Sequence, residues 1–484
     1  MEWTREKRYL PYSKWNAEEL LDLQAEAANS DYQMRYHLRP ISGLINDPNG
    51  FSYFNNEYHV FYQSYPFGAV HGLKSWVHFK SNDLVHWTNL GLAVKPDTKT
   101  DSHGAYSGSA KEINGKLFLM YTGNHRDQNW IRIPYQISAW MDKNGKVEDK
   151  KVLFKNPDNI TEHFRDPQIL EKDGNYYAIL GAQDKAQKHG HIDVWKSSDL
   201  ENWEELGFLN FSDEEMGYMI ECPNLVQVDG HPTLIFCPQG LDKSIADYQN
   251  IYPNMYVTGS KIDFEQCQLT NPSKLQNFDD GFDVYATQAF NMPDGTAYAI
   301  SWIGLPDTTY PTDKENWANC LSQVKKLSFK DGKLLQQPVD AIKTLRRNEE
   351  NVDGQTIKEN TTGQYELKIK IKPNQAGTLY LAANNDLSQN IALKFDTKQG
   401  QLILDRSKAG KVSVSYGETR QIALEGNSEL DLDIFVDHSV IEVFVNNGEH
   451  VMTGRFFTNP DCQRIIFDHE IDYTGKFWNM ESTM

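Results

Sequence analysis

Short runs of alternating hydrophobic and polar residues cover most of the chain and are separated by tight turns. Five turns, each followed by an apolar strand, start at Asn55, Asn114, Asp173, Asp229 and Asp294. Asn and Asp, mostly followed by Gly in these turns, accept positive φ and join antiparallel strands in hairpins. The unit recurs about every 60 residues, a period typical of propeller blades. The pattern therefore predicts five blades within residues 33–335.

The rest of the chain predicts three further parts. Residues 1–32 contain an apolar stripe after a capping Asn16, which predicts a helical extension packed on the propeller. Residues 336–352 are polar and are interpreted as a linker with a short helix. In 353–484 apolar residues return at every second position, as in YELKIKIK, which indicates antiparallel strands of a β-sandwich. The predicted fold class is all-β: a five-bladed β-propeller followed by a C-terminal β-sandwich.

Composition narrows the possible partners. The chain has 484 residues and a net charge of −19, which argues against nucleic acid or an anionic membrane as a partner. Aromatic residues make up 12 % of the chain, which favours a carbohydrate or another flat small molecule. No apolar run is long enough for a signal peptide or a membrane span. Five scattered cysteines without a CxxC pair fit a reducing cytoplasm and predict neither disulfides nor a metal site.

Acidic residues recur at one level of the repeat. Three of the five units carry an acid seven or eight residues before the turn: Asp47 in LINDPNG, Asp166 in FRDPQI and Glu221 in IECPNL. One such motif alone is better explained as a self-capping turn, but three at equivalent positions favour a shared site on the propeller axis. Close carboxyls raise each other's pKa, so that one can stay protonated. Two carboxyls that flank a glycosidic bond are the working groups of glycoside hydrolysis.

These motifs, together with Tyr106-Ser107-Gly108 and FDDGFDVYATQ (278–288), occur in the order found in the invertase-like β-fructosidases, glycoside hydrolase family 32. The chain resembles this family from about Tyr36 to Phe457. The resemblance implies that Asp47 is the nucleophile, that Glu221 is the general acid and then the base, and that Asp166 holds fructose hydroxyls. It implies no cofactor and a small sugar as the substrate. The residues implied to bind that sugar are Asn46, Gln63, Trp76, Tyr106, Ser107 and Arg165.

One segment bears on which sugar is bound. HGLKSWVHFKSNDLVHW (71–87) is most similar to intracellular family members that act on phosphorylated sucrose. The resemblance therefore implies hydrolysis of sucrose 6-phosphate to glucose 6-phosphate and fructose. His71 stands where many members have Trp, and its imidazole could face a phosphate. A negatively charged protein needs local cations for that ligand. The candidates are His71, Lys74, Arg126 and Arg132, although Lys74 and Arg132 are more simply interpreted as solvated surface charges.

Several interpretations stay open at this level. The same fold could act on unphosphorylated sucrose or short fructo-oligosaccharides, could bind sugar without catalysis, or could be an inverting arabinofuranosidase-like enzyme. Trp302 suits core packing and pocket lining equally. Cys222 is interpreted as a small packing residue. Asp279, Asp280 and Asp283 are predicted to form turns and the rim of the pocket. The sequence does not indicate an oligomeric state.

Overall fold

Five antiparallel sheets surround a common axis in the computed structural model, which describes residues 2–410, 412 and 416–483. The innermost strands of neighbouring sheets contact one another in chain order, and the fifth contacts the first. The short strand Trp317–Ala318, which follows the inner strands of the fifth sheet, pairs in parallel with Gly43 and Leu44 of the first. The ring is therefore closed, and the predicted five-bladed propeller is confirmed.

Each blade has four main strands, which follow one another from the axis outwards. Blade 1 contains Gly43–Phe54, Glu57–Tyr65, Ser75–Ser81 and Trp87–Val94. Blade 2 contains Ala105–Ile113, Lys116–Arg126, Arg132–Met141 and Val147–Lys155. Blade 3 contains Ile160–Lys172, Asn175–Asp184, Gly190–Ser197 and Glu204–Phe208. Blade 4 contains Met219–Val228, His231–Gln239, Met255–Thr258 and Gln276–Asn277, beside a hairpin of Lys261–Asp263 and Gln268–Thr270. Blade 5 contains Val284–Asn291, Ala297–Ile303, Lys325–Lys330 and Lys333–Pro338, with Cys320–Leu321 added to its second strand.

Separate apolar clusters fill the spaces between neighbouring blades. Phe61, Trp76 and Tyr121 belong to the cluster between blades 1 and 2. Phe164 and Trp195 belong to the cluster between blades 2 and 3. Both faces of each blade are covered in this way, so apolar residues are expected on both sides of the inner strands. A polar residue on an inner strand is therefore unusual.

The C-terminal region forms two facing six-stranded sheets. One contains, in spatial order, Arg346–Val352, Tyr473–Met480, Gln364–Ile371, Leu430–Asp437, Val440–Val445 and His450–Arg455. The other contains Thr356–Lys358, Arg464–Phe467, Ala376–Ala383, Ile391–Asp396, Gln401–Asp405 and Thr419–Ala423. One apolar core, which includes Leu367, Leu393 and Val443, lies between them. This is the predicted β-sandwich.

The sandwich packs against the propeller through polar and charged side chains, most of which are buried. Asp279 accepts hydrogen bonds from the backbone N and Oγ1 of Thr453 at 3.0 and 2.6 Å. Asp280 lies 2.8 Å from Nδ1 of His450, and Asp283 accepts from Nη1 of Arg406 at 2.6 Å. The prediction that these three aspartates form a pocket rim is wrong, since their carboxylates hold the sandwich.

A buried histidine extends this interface. Nδ1 and Nε2 of His37 lie 2.9 Å from Asp437 and 3.0 Å from Glu442, both fully buried acids of the sandwich. Burial lowers the pKa of His37, but the two hydrogen-bonded carboxylates outweigh this effect and raise it to about 9. His37 is therefore a cation at neutral pH that neutralises part of the buried negative charge.

The residues before the propeller form the α-helices Arg5–Arg8 and Ala17–Ala28, separated by the 3₁₀-helix Tyr12–Lys14. As predicted, Asn16 caps the second helix and accepts a hydrogen bond from the Glu18 backbone N at 3.0 Å. Further 3₁₀-helices are Pro311–Glu315, Asp340–Leu345 and Asn446–Gly448. Within 336–352, residues 336–338 belong to blade 5 and 346–352 to the sandwich, so 339–345 connects the sheets. No helix in the described part of the chain is long and apolar enough to cross a membrane.

Candidate active site

The innermost strand of every blade is interrupted at the same level by a β-bulge. The shifts in register fall at 46–47, 106–107, 166–167, 222–223 and 286–287. A bulge adds one residue to a strand and re-aims the side chains beside it. Asp47 and Asp166 lie within the bulges of blades 1 and 3, Ser107 lies within that of blade 2, and Glu221 immediately precedes that of blade 4. The bulges thus turn the predicted acids towards the axis.

Asp47 is held by three neutral donors. Its Oδ2 accepts from Ser107 Oγ at 2.5 Å and from Gln63 Nε2 at 3.2 Å, and its Oδ1 accepts from Asn46 Nδ2 at 3.1 Å. Burial and the nearby charge of Glu221 raise the pKa of Asp47, while the bonds from Ser107 and Asn46 oppose that rise. The donors therefore fix the orientation of a carboxyl that remains half-buried and reachable.

Asp166 lies deeper. Its side chain is buried, and its backbone adopts a φ of 65°, which is uncommon for a residue with a Cβ and marks a constrained position. Its Oδ2 accepts from the Cys222 backbone N at 3.1 Å. Burial raises the pKa of Asp166 to about 7, and the negative charges of Glu221 and Asp47 act in the same direction against Arg165.

Glu221 is bound on both carboxyl oxygens. Arg165 donates from Nε and Nη2 to Oε1 at 3.1 and 2.7 Å, and Tyr285 donates its hydroxyl to Oε2 at 2.7 Å. The carboxylates around Arg165 raise its pKa despite its burial, so the guanidinium remains charged. Tyr285 lies in the FDDGFDVYATQ segment, but its contact with Glu221 was not predicted, because a strand aromatic is ordinarily a core residue.

One thiol contacts two of the three acids. Sγ of Cys222 lies 3.8 Å from Asp47 Oδ2 and 3.6 Å from Asp166 Oδ2, and Cys222 follows Glu221 in the chain. Burial and the surrounding acids raise the pKa of this thiol well above its usual range. The carboxyls of Asp47, Asp166 and Glu221 therefore lie in one space, which we call the acid pocket. Cys222 lines this pocket as a neutral group.

Lys74 is the unexpected member of this pocket. The interpretation of Lys74 as a solvated charge is wrong, because the residue is 3 % exposed and its Nζ donates to Asn46 Oδ1 at 2.5 Å. Burial lowers the pKa of Lys74 to about 7, against the attraction of Asp47. The side chain thus supports the amide that holds Asp47.

Two tryptophans named by the sequence analysis are buried. Trp76 is fully buried between Phe61 and Tyr121, and its Nε1 donates to the Tyr106 carbonyl at 2.9 Å. Trp302 is 2 % exposed and packs edge-on against Tyr285. In this structure Trp76 and Trp302 support neighbours of the acid pocket from behind.

The remaining predicted cations are His71 and two arginines, each of which lies against an aromatic ring. Cζ of Arg132 lies 5.7 Å from the centre of the Tyr106 ring, and Cζ of Arg126 lies 5.2 Å from that of Trp130. Both arginines are only partly exposed, so the interpretation of Arg132 as a solvated surface charge is wrong as well. His71 is exposed, and its carbonyl accepts from Arg8 Nη1 at 3.5 Å. Arg8 was not among the predicted site residues, because a short basic segment before the first repeat carries no motif.

A ring of polar side chains below the acid pocket joins each blade to the next. Each blade contributes the side chain of the third residue of a short motif on its inner strand. The hydrogen-bond partners of these side chains are backbone atoms of the following blade. The side chains are Asn49, Ser109, Gln168, Asn224 and Gln288. The repeated polar residue in DPN, SGS, DPQ, CPN and ATQ was the signal that could have revealed this ring.

Clustered carboxyls on the axis of a propeller are groups of the kind that cleave glycosidic bonds. The model of the glycosyl hydrolases family 32 N-terminal domain matches residues 37–338, and that of the family 32 C-terminal domain matches 333–479. The chain therefore belongs to glycosyl hydrolase family 32.

Individual relatives are similar over nearly their whole length. A sucrose-6-phosphate hydrolase of Streptococcus mutans is 49 % identical over 463 residues, which are 95 % of each chain. One of Pediococcus pentosaceus is 45 % identical over 99 % of this chain and 96 % of its own. The solved structure of a sucrose-6-phosphate hydrolase from Lactobacillus gasseri is 58 % identical, with a TM-score of 0.98 and complete coverage of both chains.

Proposed function

We propose that this enzyme is a retaining β-fructofuranosidase that hydrolyses sucrose 6-phosphate to glucose 6-phosphate and fructose. The observation that carries the proposal is the convergence of Asp47, Asp166 and Glu221 around the Cys222 thiol. The names of the Streptococcus, Pediococcus and Lactobacillus relatives support the phosphorylated substrate.

In the first step Asp47 attacks C2 of the fructosyl unit. The bond between C2 and the glycosidic oxygen breaks, a bond between C2 and a carboxyl oxygen of Asp47 forms, and Glu221 gives its proton to the departing oxygen. The three donors on Asp47 support this role because they hold the carboxyl in one orientation before the substrate arrives.

In the second step water attacks C2 and displaces Asp47. Glu221, now ionised, takes the proton of that water, and fructose leaves with its original anomeric configuration. The hydrogen bonds from Arg165 and Tyr285 hold the Glu221 carboxyl in the orientation from which it meets that water. Asp166 accepts hydrogen bonds from fructose hydroxyls, and Asn46, Gln63, Ser107 and Arg165 complete the fructose site.

The test of these roles removes each acid in turn. Asp47→Ala and Glu221→Gln are each expected to lower kcat on sucrose 6-phosphate by about a thousandfold or more. NMR of the wild-type reaction is expected to detect the β anomer of fructose first. Near-normal turnover by either variant, or early release of the α anomer, would contradict the assignment.

The phosphate preference has its own test. Values of kcat/KM for sucrose and sucrose 6-phosphate are compared at one pH and ionic strength, together with 1-kestose as a short fructo-oligosaccharide. A preference for sucrose 6-phosphate below about tenfold, worth about 1.4 kcal/mol, would leave unphosphorylated sugars as the substrates.

We infer that the propeller and the sandwich, predicted as 33–335 and 353–484, are separate domains, with blade 5 extended to Pro338 and the sandwich starting at Arg346. The two family models, which meet at residues 333–338, support this division. Limited proteolysis within 339–345 would test this division.

A cytoplasmic location is supported by the five buried free cysteines, and cell fractionation would test it.

A further inference from the structure

Residues 2–15, which we call the N-terminal segment, lie against the part of blade 1 that carries Lys74. The backbone N of Leu73 donates to the Arg8 carbonyl at 2.8 Å. The Tyr12 hydroxyl donates to the Leu73 carbonyl at 2.8 Å and lies 2.9 Å from Ser75 Oγ, and Trp15 stacks on Phe67. The segment is thus fixed on the stretch that leads into the acid pocket.

Arg8 of this segment and two arginines of blade 2, Arg126 and Arg132, all lie near Tyr9, where their charges oppose the rise that burial causes in the pKa of its hydroxyl. We call these three residues the arginine cluster. Arg126 and Arg132 are directly paired across two antiparallel strands, where like charges ordinarily destabilise. Tyr9 packs edge-on against Trp130, and Arg5 lies over that ring at 4.7 Å, so the N-terminal segment reaches blade 2.

The arginine cluster lacks negative partners. Within the part of the chain that the structure describes, none of the three arginines forms an ion pair with a carboxylate, although the net charge of the protein is −19. Nε of each of the three is buried and has no hydrogen-bond acceptor. Buried guanidinium donors without acceptors are costly, and an anionic ligand would satisfy them.

The cluster is adjacent to the acid pocket. Arg132 lies over the ring of Tyr106, and the next residue, Ser107, donates to Asp47. The Tyr106 carbonyl is held by Trp76, and the His71 carbonyl is held by Arg8. A sugar that extends from the bond cleaved at Asp47 towards blade 2 would therefore meet the arginines next.

We propose that the arginine cluster binds the phosphate on the glucosyl unit of the substrate, so that the N-terminal segment completes the substrate site. This inference rests on the proposed function. A phosphate monoester offers three oxygens and up to two negative charges, and the planar fork of arginine matches that geometry. Arg8 supplies one donor set from outside the propeller, while Arg126 and Arg132 supply the others from blade 2. Lys74 does not belong to this cluster, since its ammonium is bound to Asn46.

The main test compares Arg8→Gln with Lys14→Ala. Lys14 is an exposed lysine of the same segment, so its loss removes the same charge without touching the cluster. Arg8→Gln is expected to lower kcat/KM for sucrose 6-phosphate by about 10- to 100-fold and for sucrose by less than about threefold. Lys14→Ala is expected to leave both values unchanged. Equal losses on both substrates, or no loss on either, would overturn the proposal.

Binding of the product glucose 6-phosphate distinguishes a failure of the arginine cluster as an anion site from a failure of the proposed substrate. Glucose 6-phosphate is titrated by calorimetry into wild type, Lys14→Ala, Arg8→Gln and the double variant Arg126→Gln/Arg132→Gln. We expect binding in the first two and at least about tenfold weaker binding in the others. If the wild type hydrolyses sucrose and sucrose 6-phosphate equally but binds glucose 6-phosphate through these arginines, the proposed substrate fails and the anion site stands. If inorganic phosphate binds as tightly as glucose 6-phosphate without inhibiting hydrolysis, or if the arginine variants bind normally, the inference fails.

Discussion

Tyr285 donates its hydroxyl to Oε2 of Glu221 at 2.7 Å, while Arg165 occupies the other oxygen of the same carboxyl. The two donors come from different blades, and together they fix the plane of the carboxyl. Because a general acid and base must reach both the leaving oxygen and the water, this orientation bears directly on the rate.

We expect Tyr285→Phe to lower kcat by about 10- to 100-fold with little change in KM, because the ring remains while one donor to Glu221 is lost. Steady-state kinetics on sucrose 6-phosphate provide the measurement. Tyr298→Phe, a change on the second strand of the same blade, is the matched control and should behave as wild type. A Tyr285→Phe enzyme with unchanged kcat would show that Arg165 alone positions Glu221.

Lys74→Met should change the pH dependence of the reaction. The ammonium attracts Asp47 and so lowers the pKa of that carboxyl, and its removal should move the acidic limb of kcat/KM to higher pH. We also expect a loss of about tenfold at the optimum, because Asn46 loses its partner. Lys80→Met removes a more exposed lysine on the strand that follows Lys74, where it pairs with Glu57, and it should leave the profile unchanged. An unshifted acidic limb in Lys74→Met would contradict the coupling to Asp47.

Asp166→Asn should trade activity for stability. The pKa of Asp166 is raised from 3.8 to about 7 in the folded protein, so its contribution is most favourable below pH 3.8 and is lost as the pH rises through about 7. The neutral amide avoids that loss. We expect Tm of the variant to exceed that of wild type by a few degrees at pH 8 and by much less at pH 5, while kcat falls at least about a hundredfold. Calorimetry at both pH values, with the exposed-acid variant Asp340→Asn as control, gives the answer. A lower Tm at pH 8 would mean that the hydrogen bonds of Asp166 outweigh its buried charge.

The interface between propeller and sandwich should weaken at alkaline pH. The pKa of His37 is raised from 6.5 to about 9, so its stabilising effect is complete below pH 6.5 and is lost as the pH rises through about 9. His37→Gln is therefore expected to lower Tm most at pH 6 and to flatten the decline of Tm between pH 6.5 and 9. His86→Gln, which alters an exposed histidine paired with Asp83, is the control. Parallel Tm profiles for His37→Gln and wild type would exclude this role of His37.

The repeated elements were the predictable part of this protein. Asn-Gly and Asp-Gly turns have a local conformational cause, so the five hairpins could be located from sequence. Asp47, Asp166 and Glu221 could be grouped because the motifs recur at a fixed distance from those turns. The bulges that aim them were not predicted, because a bulge depends on the register with the neighbouring strand.

The single-copy residues were harder to predict. Lys74 was expected in solvent because burial of an ammonium is ordinarily unfavourable, and only the tertiary structure brings Asn46 to it. Asp279 and Asp283 were expected at the pocket because their partners, Thr453 and Arg406, lie more than a hundred residues away in the chain. Arg8 belongs to a segment without a repeat, so no periodicity connected it with Arg126 and Arg132.

The polar ring is continuous, because each blade is bonded to the next and the fifth is bonded to the first. Its members are Asn49, Ser109, Gln168, Asn224 and Gln288. Displacement of one blade would strain hydrogen bonds in its neighbours, so the distances between the acids depend on all five blades together. An acid pocket held in this way is formed before the substrate binds. Differences in sugar preference among enzymes built on this frame should then arise at the rim, where exchange of a short unrepeated segment can alter selectivity without disturbing the chemistry beneath.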